Sequence, residues 1–390
     1  MSNNSDAFAI AAPTIFDGER FLRDHCVILR GTSIEQILPL AECPAGLVVE
    51  QLHEGTLAPG FIDLQVNGGG DVMLHNAPCL ETVEQMQLAH RALGTTSMLP
   101  TVLSDTAAIQ RAAADAVVEA RQRGNHGIAG IHIEGPYFNM AKRGAHHQDR
   151  IRSPQPRDID WLCALQALPV IVTLAPEQVS VEYIEQLASN GILVCAGHTS
   201  ASYEEIAAAA QRGLQGVTHL FNAMSPLTSR QPGAVGAALD IDDLWAGIIA
   251  DGHHVHPAAI RLALAAKPEG KLVLVSDAMA TVGGQQTSFE LYGETISERD
   301  GRLINAQGAL AGSAIGMIDA VRYCHREAGI ALEECLRMAS LYPATILKRE
   351  SELGRIAAGH RADLVHFDYN LSVCGTWLAG QYMAHKQETT

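Results

Sequence analysis

No run of about 18 uninterrupted apolar residues occurs, so no stretch reads as a membrane-spanning helix. The opening residues, Met1 to Asp6, are polar and lack the charged-then-apolar order of a secretory signal. The eight cysteines (Cys26, Cys43, Cys79, Cys163, Cys195, Cys324, Cys335 and Cys374) include no C-x-x-C pair. In a chain of 390 residues such scattered cysteines are expected to be reduced core thiols, which suits a cytoplasmic protein. Basic residues are outnumbered: 27 Lys and Arg against 43 Asp and Glu give a formal net charge of -16. That surface repels phosphate backbones and argues against a nucleic-acid partner. It leaves room for a small anionic substrate, because local positive groups can dominate a pocket. Charged residues total only 18%, and Pro and Gly are not clustered, so nothing reads as disordered. No internal repeat, low-complexity tract or flexible linker is visible.

What is abundant is apolar: 47% of the chain, enough for a large core. Residues 1–58 look β-rich, with short apolar runs such as Cys26-Val27-Ile28-Leu29 broken by Gly, Pro and acidic residues. From Gly60 onward, short apolar runs alternate with helix-like stretches. Eight runs can be counted: Phe61-Val66, Thr95-Pro100, Ile128-Glu134, Val170-Leu174, Leu193-His198, Val217-Phe221, Trp245-Ala250 and Leu272-Asp277. Near-continuous apolarity is expected of parallel strands buried on both faces. The stretches between them, such as Glu81-Leu93 and Pro257-Ala266, have helical spacing. Eight such units predict an α/β fold, a (β/α)8 TIM-type barrel, over residues 59–352. Within the eighth unit, Ser288-Tyr292 and Arg302-Ile304 read as a small hairpin insertion. The tail, 353–390, turns strand-like at Ala362-Phe367 and is expected to pair with the N-terminal strands. A small β-sandwich domain is then formed by both chain ends.

Catalytic groups of barrel enzymes lie at the C-terminal ends of strands. Here those ends carry Gln65 and Asn67, then Thr101, Glu134, Pro176, His198, His219, Asp251 and Asp277. Singly, Glu134 reads as a turn carboxylate, and His198 and His219 as structural imidazoles. Together, two imidazoles and one carboxylate ending separate strands match a three-ligand metal site with an open position for water. His132 shares a strand face with Glu134 and is expected to pack deeper in the barrel. Asp277 reads either as a helix N-cap or as the carboxylate that takes a proton from an attacking water and passes it on. The runs Lys142-Arg143-Gly144-Ala145-His146-His147 and Asp251-Gly252-His253-His254, with Arg230, read equally as solvated faces or as oxyanion-binding loops.

The set H-I-E-G-P, A-G-H-T, T-H-L-F-N-A-M, D-G-H-H-V, S-D-A and L-A-G-S resembles the N-acetylglucosamine-6-phosphate deacetylases of the amidohydrolase superfamily. The likeness runs from Leu57-Ala58-Pro59-Gly60 to Ala362-Asp363-Leu364. It implies that Glu134, His198 and His219 bind the metal and that Asp277 is the acid/base. It implies that His146 helps polarise the acetamide carbonyl. It further implies that Asn222, Ala223, Arg230 and His254 contact a sugar phosphate, and that Ala145, Leu310, Ala311 and Gly312 line the sugar site. The implied reaction hydrolyses the acetamide of N-acetyl-D-glucosamine 6-phosphate to D-glucosamine 6-phosphate and acetate, in amino-sugar catabolism and recycling. The implied assembly is a homodimer with the phosphate pocket near the subunit contact.

Where many of the superfamily carry H-x-H, this chain has Gln65-Val66-Asn67, and its fourth strand has no bridging lysine. Amides are poor ligands for a transition ion, so one divalent metal per chain is expected, Zn2+ or Fe2+. Gln65 and Asn67 then mark a vacant second-metal position, with their amides expected to hydrogen-bond a water there. Three other readings compete: a mononuclear amidohydrolase acting on another N-acyl amino sugar or a cyclic amide, a non-catalytic relative, and an aldolase-type barrel. Cyclic-amide branches usually need the missing histidines or lysine. A scaffold would have lost ligands, and no strand end carries an aldolase lysine.

Overall fold

The computed structural model describes residues 7–385. Its centre is an eight-stranded parallel sheet in sequential order: β1 (Phe61–Val66), β2 (Thr95–Val102), β3 (Ile131–Glu134), β4 (Val170–Leu174), β5 (Leu193–Ala196), β6 (Leu214–Val217), β7 (Trp245–Ile248) and β8 (Leu272–Leu274). Every residue of these strands but Gln215 is buried, as strands covered on both faces must be. Just past the strand ends the sheet closes on itself. Asp277 N–H donates to the Gln65 carbonyl at 3.0 Å, Asn67 N–H to the Ala278 carbonyl at 2.9 Å, and Val66 bridges Ala278. Asp63 reinforces the seam from below, accepting from Ser276 N–H at 3.2 Å.

Helices alternate with the strands, and local chemistry starts several of them. Ser202 and Glu205 form a capping box on Tyr203–Ala210. Pro257 opens Pro257–Ala266, where its missing N–H costs nothing. Helix Gly233–Asp240 ends on a buried lysine: Lys267 Nζ donates to the carbonyls of Ala238 at 2.9 Å and Ile241 at 2.7 Å. Lys267→Met should therefore destabilise the protein by ~1–3 kcal/mol, the cost of unpaired buried acceptors. Urea denaturation showing no loss would remove this capping role.

The chain ends build two further sheets. One contains Ser33–Pro39, His25–Arg30, Ala7–Ala12 and Val48–Gln51. The other contains Gln381–Ala384, Val373–Leu378, Leu364–Phe367, Thr56–Pro59, Thr14–Phe16 and Phe21–Leu22. The tail strand Leu364–Phe367 does pair antiparallel with Thr56–Pro59. Ile10, Ile15, Val27, Leu57, Leu364 and Trp377 join both sheets in one apolar cluster. No helix among the described residues is long and apolar enough to cross a membrane.

Three details differ from the sequence expectation. The sixth strand is Leu214–Val217, placed earlier in the chain than the Val217-Phe221 run suggests. Gln215 and Gly216 hide it from a hydrophobicity reading, yet Gly216 is required, since a Cβ there would lie 2.3 Å from the Trp245 ring. The fifth and eighth strands stop short of His198 and Asp277, which sit in the turns that follow. The expected hairpin is a four-stranded antiparallel sheet, Ser288–Leu291, Glu294–Arg299, Arg302–Ile304 and Leu310–Ser313. Glu294–Arg299 escapes notice because it buries a single apolar side chain, Ile296.

Candidate active site

Four side chains meet at the C-terminal mouth of the barrel. Glu134 ends β3 in strand conformation. His198 and His219 follow β5 and β6 with φ of 49° and 34°, and Asp277 follows β8 with φ of 53°. Left-handed backbone is costly for such residues and tends to cluster at functional sites. Here it turns each side chain off its strand into the mouth.

His198 Nε2 lies 3.3 Å from Glu134 Oε1, His219 Nε2 lies 3.2 Å from the same oxygen, and the two imidazole nitrogens are 3.1 Å apart. All three side chains are buried. His198 Nδ1 donates to the Lys142 carbonyl at 2.9 Å. In the neutral ring, Nε2 is therefore a bare lone pair aimed at a carboxylate oxygen and a second imidazole nitrogen. Lone pairs converging in a buried place fit a bound cation, and the donor set of two imidazoles and one carboxylate fits a divalent metal. Burial alone would push the Glu134 carboxyl up, but the His198 and His219 imidazoles facing it outweigh this and hold it well below the usual range. Outer contacts fix the ligands, as such sites require. Phe138 stacks on the His198 ring at 4.3 Å, and a Cβ on Gly144 would come within 3.2 Å of that ring.

Asp277 is tied to this group by the two first-strand amides. Gln65 Nε2 donates to Asp277 Oδ1 and to Glu134 Oε1, each at 3.0 Å, and Asn67 Nδ2 donates to Asp277 Oδ1 at 2.6 Å. Both amides thus donate directly to carboxylates at the position that the sequence reading marked for a second metal. Two buried like charges would repel, and amide N–H groups between them relieve that. Burial, then the nearby Glu134 charge, push Asp277 up to about 7. His146 is buried beside His198, with ring centroids 4.6 Å apart, and its Nδ1 accepts from Ser104 N–H at 3.2 Å. Burial and the neighbouring His198 hold it well below the usual histidine range, so it is neutral. His132 packs deeper, contacting the Leu64 carbonyl at 3.1 Å and Thr173 Oγ1 at 2.7 Å, and burial lowers it to about 4.

A cavity opens over these groups. Ala145, Asn222, Ala223, His254, Leu310 and Gly312 line it, as the sequence reading expected of substrate contacts. Two expected residues do not. Ala311 alternates to the far side of its strand and packs behind the wall with Met279 and Leu303. Arg230 is exposed on a turn in which Gln231 N–H bonds Thr228 Oγ1 at 3.2 Å; it lines a separate surface hollow with Tyr203 and Glu204. His254 Nδ1 bonds Asp251 Oδ2 at 2.6 Å. Burial raises the Asp251 carboxyl, yet the His254 bond prevails and its net shift is downward.

Sequence reasoning missed Leu103, Ile249 and Met279 in the wall. It also missed Glu177, which accepts from Asn139 Nδ2 at 3.0 Å, Ser200 N–H at 2.6 Å and the Thr199 hydroxyl. Asn139 N–H in turn donates to the His198 carbonyl at 3.0 Å, so Glu177 braces the backbone of His198 from outside. A carboxylate shortly past the end of β4 was a readable signal.

A family model described as "Amidohydrolase family" matches residues 56–383. The chain belongs to the amidohydrolase family. It is 41% identical to an N-acetylgalactosamine-6-phosphate deacetylase from Shewanella sp. (strain ANA-3), covering 100% of this chain and 99% of that one. It is 35% identical to an N-acetylglucosamine-6-phosphate deacetylase from Haemophilus influenzae, covering 96% and 99%. Among solved structures, an N-acetylglucosamine-6-phosphate deacetylase from Pasteurella multocida superposes with a TM-score of 0.94 at 36% identity, over 97% of this chain and 100% of that one.

Proposed function

We propose that this amidohydrolase hydrolyses the acetamide of N-acetylglucosamine 6-phosphate, releasing acetate and glucosamine 6-phosphate, and serves amino-sugar catabolism and recycling. The observation that carries the reading is one cavity holding a three-ligand metal set, a carboxylate bonded to that set through Gln65, and a neutral imidazole beside it. The named activities of the Haemophilus and Pasteurella relatives supply the substrate.

One divalent ion per chain is held by Glu134, His198 and His219; zinc and ferrous iron both suit that donor set. When bound, it supplies Lewis acidity and lowers the pKa of the attacking water towards neutrality. Asp277 takes the proton from that water at Oδ1 or Oδ2 and delivers it to the leaving nitrogen. His146 donates to the acetamide oxygen as negative charge grows there. The amides of Gln65 and Asn67 keep Asp277 aimed at the reacting atoms. Ala145, Leu310 and Gly312 shape the sugar site, and His254 with Asn222 and Ala223 meets the phosphate. Arg230, outside the cavity of its own chain, reaches phosphate across the contact of a homodimer.

A second reading has a specific observation behind it. The Shewanella relative is named for N-acetylgalactosamine 6-phosphate, the epimer at C4. Acetate release should be measured on both epimers, each with and without phosphate, using metal-replete protein. Losing one charge-assisted hydrogen bond to phosphate costs ~1.5–3 kcal/mol, so kcat/KM should fall roughly 10- to 150-fold without it. A higher kcat/KM on the galactosamine epimer replaces the first reading with the second. Acetate release from neither phosphorylated sugar ends both.

A further inference from the structure

One side chain of the inserted sheet that follows β8 reaches the loop after β2, behind the active site. Tyr292 sits at the turn between Ser288–Leu291 and Glu294–Arg299, with φ of 51°. Its hydroxyl donates to the Ser104 carbonyl at 2.7 Å. Ser104 is fully buried in the loop after β2, and its Oγ donates to the Glu134 carbonyl at 3.3 Å. The same residue's N–H donates to His146 Nδ1 at 3.2 Å. A backbone N–H can only donate, so Nδ1 must be the acceptor nitrogen, and the neutral ring carries its proton on Nε2. An imidazole in the other tautomer would present a lone pair where the acetamide oxygen needs a donor.

The bond from Oγ to Glu134 anchors the Ser104 side chain, while its N–H and its carbonyl lie in separate peptide planes and face different neighbours. Tyr292 supplies the restraint on the carbonyl side. Its ring is fixed edge-on against His75, with centroids 4.4 Å apart, and packs with Ala145 on the apolar cluster that backs the cavity wall. Burial raises its hydroxyl further above its ordinary range, so it stays a donor.

We propose that Tyr292 is a positioning residue: by holding the Ser104 carbonyl, it aims the Ser104 N–H at His146 and so fixes the His146 tautomer that donates from Nε2. This rests on the deacetylase reading for its effect on rate, but not for its effect on the tautomer.

Two measurements test it. The first is 15N NMR of histidine-labelled, zinc-loaded protein without substrate, assigned through a His146→Ala spectrum. His146 should show a bare Nδ1 and a protonated Nε2, and Tyr292→Phe should shift it towards a mixture of tautomers. A protonated Nδ1 in the unaltered protein, or an unchanged spectrum in Tyr292→Phe, overturns the proposal. The second is a double-mutant cycle on the N-acetyl sugar phosphate the protein turns over. Tyr292→Phe should lower kcat roughly 3- to 10-fold, the size of one neutral hydrogen bond, with KM little changed. In a His146→Ala background the same substitution should have almost no effect. Equal losses in both backgrounds would mean that Tyr292 acts without His146, which overturns its positioning role. If no sugar phosphate is deacetylated, the function reading falls while the spectra still decide the tautomer.

Discussion

Asp277→Asn is expected to lower kcat by roughly 10²–10⁴, the usual contribution of a general acid/base, while leaving fold and metal in place. The substitution keeps the size of the side chain. It also keeps one oxygen that can accept from Gln65 and Asn67, which now both donate to Oδ1. What it removes is the ability to take a proton in a place where no other carboxylate is free. Glu134, the nearest, is engaged by both histidines and by Gln65. The imidazoles facing it hold it well below its ordinary range, so it is a poor base. Kinetics on protein of measured metal content check this. A metal-replete Asp277→Asn variant with near-normal kcat would take Asp277 out of the mechanism.

Glu134→Gln should weaken zinc binding by roughly 100-fold or more, since even losing an outer partner of a ligand costs ~10- to 100-fold. The carboxylate supplies the negative charge facing two imidazole nitrogens, and a neutral amide leaves the cation uncompensated in a buried place. Turnover should fall with metal occupancy. Chelator-stripped protein with Glu134 intact should also be inactive and recover on adding a divalent ion. Zinc should raise the melting temperature of the unaltered protein, because a ligand that binds only the folded state stabilises it by about 2.7 kcal/mol at 100 times its Kd. The variant should show little such rise at the same zinc concentration. A competition titration giving equal zinc affinities for both proteins would show that the metal is held elsewhere.

Much of the barrel was legible because parallel strands are buried on both faces, and Val170–Leu174 and Trp245–Ile248 are therefore plain apolar runs. Leu214–Val217 was displaced in the reading because burial there is achieved by a glycine against the Trp245 ring, a contact between neighbouring strands that a local window does not show. The inserted sheet was half seen, since its second strand is largely polar and buries only Ile296. Tyr292 had no signal at all, because its partner Ser104 lies 188 residues away.

The residue types alone determined the chemistry available: two histidines, one glutamate and one aspartate at or just past the ends of four strands, with amides where a second pair of histidines would stand. Side-chain chemistry is local, so it can be read without knowing the fold. Tertiary structure decided whether those groups act together. Ligand atoms converge because left-handed turns at His198, His219 and Asp277 swing side chains off their strands, and because β1 and the turn after β8 meet at the seam. That closure sets Gln65 between Glu134 and Asp277, donating to both. It also decided that Arg230, basic and near the right strand, stands outside its own chain's cavity, since a surface turn carries it away. Such distances are set by the packing of segments far apart in sequence, which no single stretch of it encodes.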